Sequence, residues 1–112
     1  MKMITAVIKP VEFDNVYAAL EEIGVAGITA TEVRAVGHPK GRTELHRGAE
    51  YTVSFRTKIK IEFAVTDEQL DAVIEVITHA AHIDANGEDK VFVTSLEQAI
   101  RIIHTSKACA TP

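Results

Sequence analysis

The chain alternates strand-like and helix-like segments in an order that occurs twice, and this order restricts the fold more than any other feature. Residues 3–9 form an apolar run closed by Pro10, which predicts a buried strand because proline cannot donate to a central ladder. Apolar residues then recur at helical spacing at Phe13, Val16, Tyr17, Leu20 and Ile23. Asp14 is the predicted N-cap of this helix and Gly24 its C-terminal stop. Residues 27–36 are rich in β-branched side chains and predict a second strand.

The second half has the same order. Residues 59–65 alternate apolar and mostly polar side chains, which predicts a strand with one buried face. Thr66 and Gln69 have capping-box spacing before a helix predicted from about residue 67 to about residue 81. Residues 91–96 predict a further strand, and residues 97–103 predict either a turn of helix or an extra strand.

Strand–helix–strand repeated twice predicts an α+β fold of the ferredoxin-like type, βαββαβ. In this arrangement two helices cover one face of a four-stranded antiparallel sheet. With 112 residues the chain has the size of a single domain, so residues 1–112 are taken as one unit. The other sheet face also needs cover, and a closed ring of identical copies is the simplest way to bury it.

Composition and charge exclude several functions. The net charge of −4 and the pI of about 5.7 provide no basic field for nucleic acid. The chain has no uninterrupted apolar stretch of membrane-spanning length and no apolar leader, so we expect no membrane insertion and a cytoplasmic location. The single Cys109, in a polar tail over about residues 104–112, fits a reducing compartment.

A long polar connection over about residues 37–55 separates the second and third predicted strands. It is longer than a hairpin needs, and such connections are usually functional. Leu45 and Tyr51 are its main bulky apolar residues. We predict that residues 38–52 are mobile in the free protein and suited to recognition.

The connection contains the segments Lys40-Gly41, Thr43-Glu44-Leu45 and Arg47-Gly48-Ala49-Glu50-Tyr51. Outside it stand Val7-Ile8-Lys9-Pro10, Gly27-Ile28-Thr29, Thr31-Glu32-Val33, Lys58-Ile59-Lys60-Ile61-Glu62, Lys90-Val91-Phe92-Val93 and Ile100-Arg101-Ile102. With these segments the connection resembles the T-loop of the PII family of nitrogen-signalling proteins, and the similarity covers nearly the whole chain without an evident insertion.

The resemblance implies a regulator rather than an enzyme. Ferredoxin-like protomers of the family form a homotrimer whose clefts bind ATP or ADP, usually with Mg²⁺ and 2-oxoglutarate. The T-loop then engages a partner such as an ammonium transporter or a regulated enzyme. It also implies a set of nucleotide-binding residues in this chain: Gly27, Thr29, Gly37, His38, Glu62, Ala64, Gly87, Lys90 and Arg101.

Two further residues have roles implied by the resemblance, each with an alternative. Lys58 matches a lysine that pairs with a carboxylate of 2-oxoglutarate; the alternative is an ordinary solvated lysine at a strand end. Tyr51 matches a tyrosine modified by a nucleotidylyltransferase in many bacterial members. Its alternative is an aromatic anchor that docks on a partner. Within the nucleotide set, Lys90 and Arg101 are the cations that can neutralise phosphates.

Several residues depart from the family pattern. Pro39 stands where a glutamine usually supplies an oxygen ligand to Mg²⁺, and Ile103 stands where a second arginine is usual. Asp84 and Asp89 replace glycines of the phosphate loop. We therefore predict that 2-oxoglutarate is not sensed in the family's Mg-ATP-dependent manner and that ADP or AMP competes better. The alternative function is a divergent PII-like sensor for ADP, AMP, a small anion or a metal, linked to a transporter.

Catalytic and metal sites have little support in the sequence. His79 and His82 have a spacing that places two imidazoles on one helix face, but the sequence identifies no third ligand. No nucleophile and base pair stands out. We therefore predict no catalytic residues and no metal ligands.

Overall fold

The computed structural model describes residues 1–37, 54–81, 89–102 and 109–110, which contain two α-helices and six strands. In chain order the elements are β1 (Lys2–Ile8), α1 (Phe13–Glu22), β2 (Thr29–Gly37), β3 (Ser54–Val65), α2 (Leu70–Ala81), β4 (Lys90–Ser95), β5 (Ile100–Arg101) and β6 (Cys109–Ala110). Neither helix in these ranges is long and apolar enough to cross a membrane.

Four of the strands form one antiparallel sheet in the order β2-β3-β1-β4. The two helices contact each other and share one core with this sheet. The predicted α+β, ferredoxin-like βαββαβ arrangement is confirmed. β5 and β6 form a separate two-stranded pair, so the extra-strand alternative for the segment after β4 is the correct one.

Alternation along β1 and β3 builds the core between sheet and helices. The buried apolar side chains are Ile4, Ala6 and Ile8 in β1, Val16 and Leu20 in α1, Val25 in the connection before β2, Ile61, Phe63 and Val65 in β3, and Val73, Ile77 and Ala81 in α2. The one-sided burial predicted for residues 59–65 is confirmed, because every second residue faces the helices.

The start of α1 differs from the prediction. Asp14 is not the N-cap; it lies in the first turn of α1, where a carboxylate is favourable beside the positive end of the helix dipole. The chain enters through a 3₁₀ turn over Pro10–Glu12, and Lys9 holds the cap position. The fixed φ of Pro10 suits this first turn. Gly24 ends the helix with a φ of +92°, as predicted.

The start of α2 matches the predicted capping box. The backbone N–H of Gln69 donates to Thr66 Oγ1 at 3.2 Å, and the backbone N–H of Thr66 donates to Gln69 Oε1 at 3.0 Å. The first turn, Asp67–Gln69, is again 3₁₀ and leads into α2.

The strand boundaries require one further correction. β3 begins at Ser54, five residues before the predicted start, because residues 54–58 pair with residues 33–37 of β2. Pairing with β2 satisfies the backbone N–H and C=O groups of these residues, so they form a strand although their apolar alternation is weak. The predicted connection is shortened accordingly. Residues 38–52, to which the prediction of mobility applies, lie outside the described residues.

Candidate functional site

The sheet face away from the helices carries four of the nine predicted nucleotide-binding residues, Thr29, Glu62, Ala64 and Lys90. In the register, Thr29 of β2 lies opposite Glu62 of β3, which lies opposite Thr5 of β1. Thr5 Oγ1 donates to Glu62 Oε2 at 3.4 Å, so these two side chains meet on this face. Ala64 lies two residues farther along β3 and therefore has the same orientation.

The next row on the same face is cationic. Lys60 of β3 lies opposite Val7 of β1, and Val7 lies opposite Lys90 of β4. Lys58 precedes Lys60 by two residues in β3 and therefore lies on the same face of the strand. The fold thus places Thr29, Glu62, Ala64, Lys90 and Lys58 on one face, which we call the open face.

Other predicted site residues lie elsewhere. Gly27 precedes β2 with a φ of +75°, a backbone conformation that favours glycine. Gly37 ends β2 opposite Ser54. Arg101 is exposed in the β5–β6 pair, and the register does not place it on the open face. His38, Tyr51 and Gly87 lie outside the described residues.

Lys58 is buried and paired with an acid. Its side chain is 3% exposed, and its Nζ lies 3.6 Å from Oδ1 of Asp89, which is 6% exposed. The alternative of a solvated lysine is therefore wrong. Asp89 immediately precedes β4, and neither of its carboxylate oxygens has a hydrogen-bond partner in the part of the chain that the structure describes.

A second buried acid touches Asp89. Glu12 closes the 3₁₀ turn before α1, and its Oε1 accepts a hydrogen bond from the backbone N–H of Lys9 at 3.1 Å. Burial raises the pKa of Glu12, and its contact with Asp89 raises that pKa further, because a protonated Glu12 can donate to Asp89. Its hydrogen bond from the backbone of Lys9 and the positive charge of Lys9 act in the opposite direction. We call Glu12, Lys58 and Asp89 the acid–lysine cluster.

Glu12 is the residue that sequence reasoning missed. A signal for its local role was present, since Pro10 and Glu12 have the spacing of a first-turn proline and a capping acid. Its contact with Asp89, 77 positions away in the chain, follows only from the pairing of β1 with β4.

The described residues give no three-ligand metal site. No group of three or more His, Cys, Asp or Glu side chains there is arranged to hold a metal ion. His79 lies in the last turn of α2, and His82 lies outside the described ranges. Cationic side chains on the open face instead make it suited to an anion, with Lys90 exposed and Lys58 buried.

Comparison with known proteins identifies the family of this chain. The family model "Nitrogen regulatory protein P-II" matches residues 1–106. The nitrogen regulatory protein GlnK of Escherichia coli (strain K12) is 47% identical over 102 residues, which cover 91% of each chain. The nitrogen regulatory proteins P-II of Rhizobium meliloti (strain 1021) and Rhodobacter capsulatus are each 50% identical over the same coverage. The chain therefore belongs to the nitrogen regulatory protein P-II family, a family of regulatory signalling proteins and not of enzymes.

Proposed function

We propose that this chain signals nitrogen and energy status by binding ATP or ADP on the open face and by regulating a partner protein through the connection between β2 and β3. The observation that carries the proposal is the shared face of Thr29, Glu62, Ala64 and Lys90. Exposed Lys90 supplies a positive charge for phosphate.

A homotrimer completes this site in the proposal. The open face presents Phe92, which is 51% exposed, next to the half-buried Met3 and Val7. An exposed aromatic among apolar neighbours favours burial against another copy. Arg101, which is exposed in the β5–β6 pair, would then contribute at the subunit boundary.

The strands that lead into the connection support its role in partner binding. Beyond the end of β1, β2 and β3 continue as a two-stranded ribbon from Val33 opposite Lys58 to Gly37 opposite Ser54. The Arg34 guanidinium lies 5.9 Å from the centre of the Phe55 ring, which orders the base of the connection. A transporter or a regulated enzyme is the proposed partner, and Tyr51 is the proposed position for nucleotidylylation or docking.

The residues fit the implied small ligands unequally. Lys90 fits a nucleotide phosphate, because it is exposed on the open face. Lys58 fits 2-oxoglutarate poorly, because the carboxylate of Asp89 is already beside it. This pairing favours the alternative function, in which the site senses a different ligand. Mg²⁺-dependent 2-oxoglutarate binding is thus proposed to be weak or absent.

Light scattering and calorimetry together test the proposal. Light scattering coupled to gel filtration should give a trimer in the cytoplasmic pH range, and calorimetry of that trimer should show binding of ADP and ATP. Titration of 2-oxoglutarate into protein saturated with Mg-ATP should show little heat, and repetition with Pro39→Gln tests the missing metal ligand. A monomer, or a trimer that binds no adenine nucleotide, would contradict the proposal.

A further inference from the structure

Glu12 and Asp89 are two buried acids in contact with each other. Glu12 is 8% exposed and the side chain of Asp89 is 6% exposed. Glu12 Oε1 accepts the backbone N–H of Lys9, but neither oxygen of Asp89 has a hydrogen-bond donor among the described residues. Buried carboxylates normally accept hydrogen bonds, so this pair needs a further donor when both acids are ionised.

A single proton supplies that donor. A carboxylate only accepts hydrogen bonds, whereas a protonated carboxyl also donates, so a proton on Glu12 lets it donate to Asp89. The same proton removes the repulsion between two adjoining negative charges. Lys58 Nζ lies 3.6 Å from Asp89 Oδ1 and favours the remaining charge on Asp89, which leaves the proton on Glu12.

The charged groups that face this pair within the described residues come from two strands. Lys58 of β3 pairs with Asp89, and Lys9 at the end of β1 acts on Glu12. The charge and the backbone N–H of Lys9 favour an ionised Glu12 and so oppose the proton. Burial and Asp89 outweigh them, so the pKa of Glu12 is raised.

The contact between the two acids joins segments that are far apart in the chain. Glu12 closes the 3₁₀ turn that leads into α1, and Asp89 immediately precedes β4. The pairing of β4 with β1 begins at Lys90, opposite Val7. Asp89 therefore lies where a side-chain contact can fix the first residue of β4, and that residue is the exposed cation of the open face.

We propose that Glu12 and Asp89 form a proton-operated clasp between the start of α1 and the start of β4, which positions Lys90 for a nucleotide phosphate. With the proton on Glu12 the clasp is closed. When the proton leaves to solvent, the two carboxylates repel each other and the clasp opens. Glu12 is thus a positioning residue, and the consequence for ADP rests on the function proposed above.

Calorimetry of ADP binding from pH 5 to pH 8 tests the clasp. Glu12→Gln keeps a donor for Asp89 at every pH, so at pH 8 it should bind ADP at least about threefold more tightly than the unmodified protein. The difference should shrink toward pH 5, where the unmodified protein regains its proton. Glu21→Gln, at an exposed position of α1, should match the unmodified protein throughout. Because every sample receives the same ligand, the titration of ADP itself cancels in these ratios.

A ratio of the Glu12→Gln and unmodified affinities that stays constant with pH would overturn the clasp and leave the proposed function standing. NMR of the unmodified protein provides a measurement without ADP and without a variant. The carboxyl ¹³C resonances of Glu12 and Asp89 and the backbone amide of Lys90 should shift with one common midpoint, because the proton is shared. A Lys90 amide that does not follow the titration of Glu12 would contradict the clasp. If no ADP binds at any pH, the proposed function fails, and the NMR titration still decides whether the clasp exists.

Discussion

The two strand-to-helix junctions of the chain have the same local design and different surroundings. After β1, a 3₁₀ turn ends in Glu12, whose carboxylate accepts the backbone N–H of Lys9. After β3, a 3₁₀ turn ends in Gln69, whose amide oxygen accepts the backbone N–H of Thr66. Gln69 is neutral and its partners are local. Glu12 is charged and also contacts Asp89 from the far end of the chain.

This difference shows how one capping motif serves two purposes. At Gln69 the cap stabilises only the helix start, because its hydrogen bonds close within four residues. At Glu12 the same cap fixes a carboxylate next to Asp89 and so links the start of α1 to Lys58. The first junction is therefore part of the acid–lysine cluster, whereas the second stabilises a helix start alone.

The largest expected effect is in the core that α1 and α2 share, where truncating a buried side chain of either helix should cost a similar amount of stability. Leu20→Ala in α1 and Ile77→Ala in α2 each remove a fully buried side chain and should lower the free energy of unfolding by about 2–5 kcal/mol. Chemical denaturation measures both, with Val11→Ala at an exposed position as control. A loss below about 1 kcal/mol in one helix alone would show that the two halves do not share one core.

Removal of the second cap should have a smaller effect. Thr66→Ala deletes the acceptor of the Gln69 N–H and should lower the free energy of unfolding by about 1 kcal/mol. Thr78→Ala is the matched control, because Thr78 is exposed and its hydroxyl donates to the carbonyl of Ile74 in the preceding turn of its own helix. That control should change stability by less than about 0.5 kcal/mol. If Thr66→Ala and Thr78→Ala lower the free energy of unfolding equally, Thr66 does not stabilise the protein as a cap.

Glu12→Gln should alter pH dependence more than stability at neutral pH. The amide keeps an acceptor for Lys9 and can donate to Asp89, while the buried charge is removed. Because folding raises the pKa of Glu12, the stability that Glu12 contributes is fully present below its ordinary pKa of 4.5. This stability is lost as pH rises through the pKa that Glu12 has in the folded protein.

The free energy of unfolding, measured from pH 4 to pH 7, should therefore fall with rising pH in the unmodified protein, and this fall should be absent in Glu12→Gln. Glu21→Gln, an exposed position on α1, should retain that loss. If Glu12→Gln and the unmodified protein have parallel pH profiles, Glu12 does not carry an unfavourable buried charge.

The smallest expected effect is at the surface of the second junction. The N-terminal ammonium bonds to Asp67 Oδ1 at 3.0 Å and lowers the pKa of that exposed carboxyl. A lowered pKa contributes stability above the ordinary value of 3.8, and this contribution is lost as pH falls through the folded value. Asp67→Asn should remove this small acid dependence, and added salt should weaken it in the unmodified protein. If the loss of stability at acid pH is the same in Asp67→Asn, the ion pair of Asp67 with the N-terminus does not cause it.

Local patterns in the sequence predicted most of the scaffold. Alternation at residues 59–65, the capping box at Thr66 and the terminating Gly24 are each encoded within a few residues, and all three are confirmed. The N-cap at Asp14 was wrong because a proline-initiated 3₁₀ turn starts the helical segment four residues earlier. The early start of β3 was missed because backbone pairing with β2 does not need apolar alternation.

The site could be predicted in part. Its residues on the open face follow from strand register, which alternation already indicates for Glu62 and Ala64. The acid–lysine cluster could not be predicted, because Glu12, Lys58 and Asp89 come from three distant segments. Asp89 was recognised in the sequence as an unusual negative charge, but its pairing with Lys58 depends on tertiary structure.

The most direct test of the link between the first junction and the site is the pKa of Glu12, measured by ¹³C NMR of its carboxyl carbon. In the unmodified protein this pKa should lie above the ordinary value of 4.5, and Asp89→Ala should lower it by removing the adjacent charge and hydrogen-bond acceptor. Asp71→Ala, an exposed position, should leave it unchanged. A Glu12 pKa at its ordinary value, or one that Asp89→Ala does not move, would contradict the coupling of Glu12 to Asp89.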